Sequence, residues 1–452
     1  MQGVLAAFRG NQLLSRALRS SSWILVGYSG SQGMRLLSNL VLTRLLFPEA
    51  FGIMALVGVV TVGLAMFSDV GISPSISQSR RGDDPDFLNT AWTIQMIRGF
   101  GLWLLSALLA WPVSRFYDAP ELALYLPVAG ISLAIAGFNP TRIETAQRHL
   151  LIGRLTLLDL AAQAIGIAAM VLLAWATGSV FALVVGGVIG TAAKLALTHY
   201  GLPGPANRLR WEPSCAQELI HFGKWIFLST AAWFLSSQGD KAILGKFLPL
   251  ETLGVYNIGY FLASFPLSLG LAVVGKVLIP VYRDTPPADS PANARKLRKL
   301  RYGLSAAVLS LLLLMAYFGP ALVGLLYDAR YTAAGAILVI LAVAQIPQVI
   351  GLSYDQAALA AGDSRRFFVF TSARAVLQVG LLLVGVSQFG LIGALVAMGL
   401  SLLLVHPVLV WLAVTHRVWD PLHDALFFGL GGALAAGALW LHAAPVAALF
   451  NG

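Results

Sequence analysis

Apolar stretches long enough to cross a bilayer recur along the whole of this chain. They fall at about 22–46, 51–70, 88–112, 121–140, 155–176, 180–200, 219–247, 253–281, 302–327, 333–356, 367–388 and 390–414. Crossing the hydrocarbon takes about 20 residues of helix, the scale of these runs. A further stretch at 424–450 holds one more span, with a short remainder. In lipid each backbone N–H and C=O has to be satisfied inside its own segment, which long apolar runs achieve as helices. The expectation is an all-α polytopic membrane protein of 12–14 transmembrane helices.

Composition agrees. Of the 452 residues 58% are apolar and 11% charged, against about 25% charged in soluble domains. The single cysteine, Cys215, excludes an intrachain disulfide and a cysteine-based metal site. A net charge of +10 would point to nucleic acid in a soluble protein. Here its distribution points to orientation, and no nucleic-acid partner is expected. Alternate loops beginning with the N-terminus carry 19 Lys and Arg, and the intervening set carries 4, namely Arg44, Arg115, Lys246 and Arg330. The positive-inside rule then puts the N-terminus in the cytoplasm. No Ala-x-Ala site follows a short apolar core, so residues 1–20, with Arg9, Arg16 and Arg19, read as a basic cytoplasmic lead-in rather than a secretory signal. The longest loops, 201–218 and 282–301, are rich in Pro and charge.

The chain repeats itself. Ser22–Val57 matches Lys224–Gly259 at an offset of 202, with Trp23 on Trp225, Arg44 on Lys246, Glu49 on Glu251 and Gly52 on Gly254. Six spans separate the copies, so both halves share one orientation, related by an axis along the membrane normal. That is the parallel-repeat transporter plan, with substrate bound between the halves. The expected domains are an N-lobe at 21–200, a cytoplasmic linker at 201–218, a C-lobe at 219–414 and extra C-terminal span or spans at 415–452.

Four ordered stretches carry a resemblance to a known group: Thr43–Leu56, Phe67–Gln78, Ala146–Gln163 and, most specific, Phe222–Tyr282. In these the chain resembles the polysaccharide-exporter branch of the multidrug/oligosaccharidyl-lipid/polysaccharide (MOP) flippase superfamily, related to the lipid II and multidrug (MATE) transporters. The resemblance implies two six-helix lobes around a central cavity that opens alternately to each side. It implies a bacterial inner-membrane transporter carrying undecaprenyl-pyrophosphate-linked oligosaccharide, for O-antigen or exopolysaccharide, from the cytoplasmic to the periplasmic leaflet. Membrane lipid, a polysaccharide polymerase and glycosyltransferases are the further partners it suggests. No cofactor is expected beyond a driving H⁺ or Na⁺.

A charge at the bilayer centre costs at least ~2.5–3.5 kcal/mol, so it faces a wet cavity, a partner or the interface. Arg35, Arg98 and Arg374 lie deep within their spans and Lys241 in the outer half of its span. The reading favoured for Arg35 and Arg98 is a cationic cavity, since the guanidinium fork matches phosphate oxygens; an interhelical clamp is the alternative, weighed evenly for Arg374. Arg35→Ala or Arg98→Ala is then expected to abolish transport in folded protein. Asp240 is expected to pair with a basic residue on another span, such as Arg35, or to bind the driving ion. Asn39, Lys276 and Asp69 are secondary candidates; Lys194, Lys224 and Lys276 read mainly as snorkelling, and Asp69, Asp159 and Asp355 as interfacial. Sugar stacking by Trp225, Trp233 or Tyr256 is a minor alternative to an interfacial aromatic belt. His149, His199, His221 and His406 are scattered and suggest no catalytic cluster. A membrane polymerase or ligase fits poorly, because the outside loops are short and poor in Arg and His. A drug exporter of the same fold would favour acidic groups in its cavity. A lipid II flippase shares the pyrophosphate chemistry and stays open.

Overall fold

A computed structural model of the chain describes residues 13–68, 71–284, 287 and 289–449. The described residues are helical with no strand. In chain order the helices are α1 (Leu13–Leu45), α2 (Pro48–Phe67), α3 (Ile72–Gln78), α4 (Pro85–Phe116), α5 (Leu122–Gly137), α6 (Arg142–Arg148), α7 (Ile152–Thr177), α8 (Phe181–Gly201) and α9 (Pro213–Phe247). They continue as α10 (Leu250–Asp284), α11 (Pro291–Leu326), α12 (Ala333–Ala344), α13 (Ile346–Gly351), α14 (Asp355–Ala360), α15 (Ser364–Thr415), α16 (Pro421–Leu441) and α17 (Ala443–Ala448). Among the described residues nine segments are long and apolar enough to cross a membrane, and the bent pair α5 and α6 makes a tenth. Two of the expected spans lie together in α15, which breaks at Phe389 and Gly390. The φ of +58° at Gly390 lies where only glycine is at ease, so the chain turns there between two half-helices.

Local chemistry sets the helix starts. Asp84, Ser290 and Asp420 each accept a hydrogen bond from a backbone N–H in the first turn, and each is followed by a proline. A cap followed by Pro satisfies one orphan donor and replaces another with a residue that has none. This corrects the reading of 282–301 as loop. The basic run Arg295–Arg301 lies on the opening turns of α11, because the Ser290–Pro291 pair starts the helix earlier than the apolar pattern does.

The chain divides into two compact units. The first comprises the chain up to Leu46 and Leu56–Ala231; the second comprises Phe47–Ala55 and Ala232–Gly452. In the first, α4 packs along α5, α7 along α8, and α1 along α7. In the second, α12 is the buried centre, packed by α10, α11 and α15, and Ile337, Leu338 and Val339 are fully enclosed. The second unit also contains the turns of both sequence repeats. A Cβ on Gly52 would collide with the carbonyl of Leu250, and a Cβ on Gly254 with the carbonyl of Pro48. Pro48 and Gly52 align with Leu250 and Gly254 in the repeat. The contact is therefore reciprocal, as a local two-fold relation between the copies requires.

Candidate functional site

In the first unit Arg98 reaches from α4 to the end of α2. Its Nε donates to Ser68 Oγ at 2.9 Å and its Nη2 to the Ala65 carbonyl at 2.6 Å. A cation at a helix C-terminus satisfies orphan carbonyls and meets the negative end of the dipole. Arg35 is exposed on α1, and Asn39 one turn on is half-buried. Lys194 pairs with Asp159 at 2.9 Å, so an ion pair holds a lysine read as snorkelling. Asp69 and the side chains of Lys276, Lys224, Trp225 and His221 lie outside the described residues.

In the second unit a polar chain runs between helices. Asp240 on α9 is buried, and its Oδ2 accepts the Tyr256 hydroxyl of α10 at 2.6 Å. Its Oδ1 is buried with no hydrogen-bond partner among the described residues. Among the described residues the hydrogen-bond partner shown for Asp240 is this tyrosine. Lys241 sets its Nζ 4.6 Å from the ring centroid of Tyr260, one turn beyond Tyr256. Successive residues of a helix diverge by about 100°, and here they meet successive turns of the same neighbour. Desolvated cation–π contacts are worth up to about 2 kcal/mol, enough to offset much of the cost of a membrane-embedded ammonium. Tyr256 is fully buried, which removes it as a sugar-stacking surface, whereas Trp233 is exposed.

Tyr260 also lies within electrostatic reach of Asp240 and Arg374, and Arg374 within reach of Asp355. Arg374 on α15 and Asp355 on α14 line a cavity of about 50 Å³ with Gln348, Phe370 and His406. A water needs about 10–15 Å³ measured this way, so the space suits a few waters and is too small for a sugar. The Nε of Arg374 is buried without a hydrogen-bond partner among the described residues. The structure thus places Asp240, Lys241 and Arg374 near one tyrosine pair, with Asp355 next to Arg374.

Other basic residues do structural work that loop counting does not reveal. Arg148 donates to the carbonyls of Ile76, Ser77 and Ser79 and to Asp83. Arg301, counted as a loop charge, is buried in α11, donates to Ser353 and Tyr282, and sits 4.4 Å over the Tyr354 ring. The histidines are not all scattered: His406 and His423 both bond Asp424. Ionisable residues inside apolar runs are functional candidates by default, and that rule singles out His406 within 390–414.

The long apolar helices define a multi-pass membrane protein, and its fold is similar to that of solved transporters of the MOP superfamily. The lipid II flippase MurJ in an inward closed conformation superposes with a TM-score of 0.66 at 11% identity, covering 93% of this chain and 98% of that one. An inward-facing multidrug resistance MATE family transporter of the MOP superfamily superposes with 0.61 at 16% identity, covering 87% and 98%. Residues 41–336, more than half of the chain, match the family described as "Polysaccharide biosynthesis protein", and the chain belongs to that family. The succinoglycan biosynthesis transport protein ExoT of Rhizobium meliloti (strain 1021) is 21% identical over 304 residues, 67% of this chain. The match spans 59% of ExoT's length.

Proposed function

We propose that this protein is a flippase that carries an undecaprenyl-pyrophosphate-linked oligosaccharide, an O-antigen or exopolysaccharide repeat unit, from the cytoplasmic to the periplasmic leaflet by alternating access. The family match over residues 41–336, together with the transport role of ExoT in succinoglycan biosynthesis, carries this reading. The embedded cations support it. Among the described residues Arg374 keeps its Nε without a hydrogen-bond partner at a small cavity, and a guanidinium suits a phosphate. The protein works as a transporter and not as an enzyme. It sits in the bacterial inner membrane with its N-terminus in the cytoplasm, as the excess of Lys and Arg at alternate ends of the apolar runs favours. A polymerase and glycosyltransferases act beside it. The driving ion, H⁺ or Na⁺, has a candidate in the open carboxylate oxygen of Asp240.

Deleting the gene in the cell that makes the protein tests the assignment. Cell-surface polysaccharide is expected to disappear while the lipid-linked repeat unit accumulates on the inner leaflet. Unchanged surface polysaccharide with no accumulation contradicts it.

A further inference from the structure

The chain between α8 and α9 reads from the sequence as a linker, yet the structure ties it along α4. Residues 205–212 form no helix. The backbone N–H of Arg208 donates to Asn89 Oδ1 at 2.9 Å, that of Arg210 to Thr93 Oγ1 at 3.1 Å and that of Glu212 to Thr90 Oγ1 at 3.1 Å. Every second N–H faces α4, which is the alternation of an extended chain. Successive side chains of such a chain point to opposite sides. Arg208 and Arg210 therefore share one side, and Leu209 and Trp211 share the other. Leu209 is 71% exposed and Trp211 53%. The strap is fixed at both ends. Asn207 donates to Thr141 Oγ1 at 2.8 Å, and Cys215 and Leu219 at the start of α9 are buried with Phe87 and Ala91 of α4.

Two rulers set its depth. Thr93 lies inside the apolar run that begins at 88. Trp111, toward the other end of α4, is exposed, and an exposed Trp near a span end marks the headgroup level. The helix between Thr93 and Trp111 is about 27 Å long, close to the hydrocarbon thickness of about 30 Å. Thr93, and the strap bound to it, therefore lie at the opposite boundary. The second ruler is Arg210. Its N–H binds at Thr93, but its guanidinium Nη2 reaches back to Asp86 on the first turn of α4, at 2.8 Å. About 10 Å of helix separates those two contacts. A long cationic side chain that runs from the apolar zone toward water is snorkelling. Leu209 and Trp211, on the opposite side of the strap, then point toward the acyl chains.

We propose that Arg208–Trp211 is a lipid-binding anchor, with Leu209 and Trp211 seated at the headgroup–acyl boundary of the leaflet in which α4 begins. Arg208, exposed beside the Arg210–Asp86 pair, stands at the level of the lipid phosphates. Arginine alternating with leucine and tryptophan fits a partner that is anionic on one side and apolar on the other, which is a bilayer surface. A soluble acidic partner would engage the arginines and leave Leu209 and Trp211 in water. The anchor stands whether or not the chain carries lipid-linked sugar.

The test is site-directed spin labelling of the full-length chain. The background is Cys215→Ser, which removes the single cysteine and keeps a hydroxyl donor toward Glu212. Arg208→Cys, Leu209→Cys, Arg210→Cys and Trp211→Cys are labelled one at a time and reconstituted in phosphatidylethanolamine–phosphatidylglycerol vesicles. Nitroxide relaxation is read with oxygen, which concentrates in lipid, and with a water-soluble nickel chelate. The ratio of oxygen to nickel accessibility is expected to be several-fold higher at 209 and 211 than at 208 and 210. If Arg210→Cys, which loses the Asp86 pair, does not fold, Arg208→Cys supplies the comparison. A ratio without alternation, whether every position reads as water or every position as lipid, overturns the proposal. So does a higher nickel accessibility at 209 and 211, the result for a strap that stands in water to meet a protein.

Discussion

Arg98 and Arg374 carry the same charge at comparable depth, yet the structure uses them differently. Arg98 donates to the end of α2, while Arg374, beside Asp355, keeps Nε without a hydrogen-bond partner among the described residues. The partners of a deep arginine lie on other helices, so span depth alone does not separate a clamp from a site. Outside the membrane the same logic gives a pH dependence. Glu212, just before α9, accepts from the Cys215 thiol, the Ser214 hydroxyl and the Cys215 N–H, with Arg81 nearby, and its pKa is lowered from 4.5 to about 2. A carboxylate lowered on folding stabilises the fold above its unfolded pKa, and the contribution is lost as pH falls through the folded value. The thermal midpoint of the detergent-solubilised protein is therefore expected to drop more steeply between about pH 4.5 and pH 2 in the wild type than in Glu212→Gln. The exposed setting and screening keep the difference modest. Identical pH profiles in the two proteins would remove Glu212 from the account.

At the scale of elements, the reciprocal contact of Gly52 and Gly254 makes the clearest prediction. Each glycine faces a backbone carbonyl of the other repeat copy, and a carbonyl cannot step aside as a side chain can. Gly52→Ala or Gly254→Ala should each cost about 1–3 kcal/mol, as overpacking does. The double variant should cost less than the two together, because the first substitution already parts the turns. Gly58→Ala on the same α2, where a Cβ meets open space, is the control. Thermal unfolding would count against the contact if all three single variants melted alike. Many of the spans and the break between 388 and 390 were legible in the sequence, because apolar length is a local signal; among the described residues nine or ten segments qualify where 12–14 were expected. The early start of α11 was hidden because charged residues mask a helix whose outer turns lie beyond the apolar stretch. The tyrosine pair around Asp240 and the Asp424 cluster were hidden for another reason. Tyr354, His406, Trp419 and Asp424 meet only through tertiary packing. The one sequence signal for the latter was a histidine inside an apolar run.

For the molecule as a whole, membership of the polysaccharide biosynthesis family and the basic residues within the apolar runs support the anionic lipid-linked cargo proposed above. A drug exporter built on the same fold would be expected to favour cations. Charge preference therefore separates the two uses of one architecture, and Arg374 is the residue on which it should turn. The direct measurement is flux in liposomes holding the purified protein, with undecaprenyl-pyrophosphate-linked oligosaccharide scored by an impermeant reagent and a cationic dye followed in parallel. The account predicts protein-dependent flipping of the lipid-linked sugar, a loss of about tenfold or more in folded Arg374→Ala for a removed phosphate contact worth about 1.5–3 kcal/mol, and no dye movement. Dye transport with the lipid-linked sugar left in its original leaflet would contradict it.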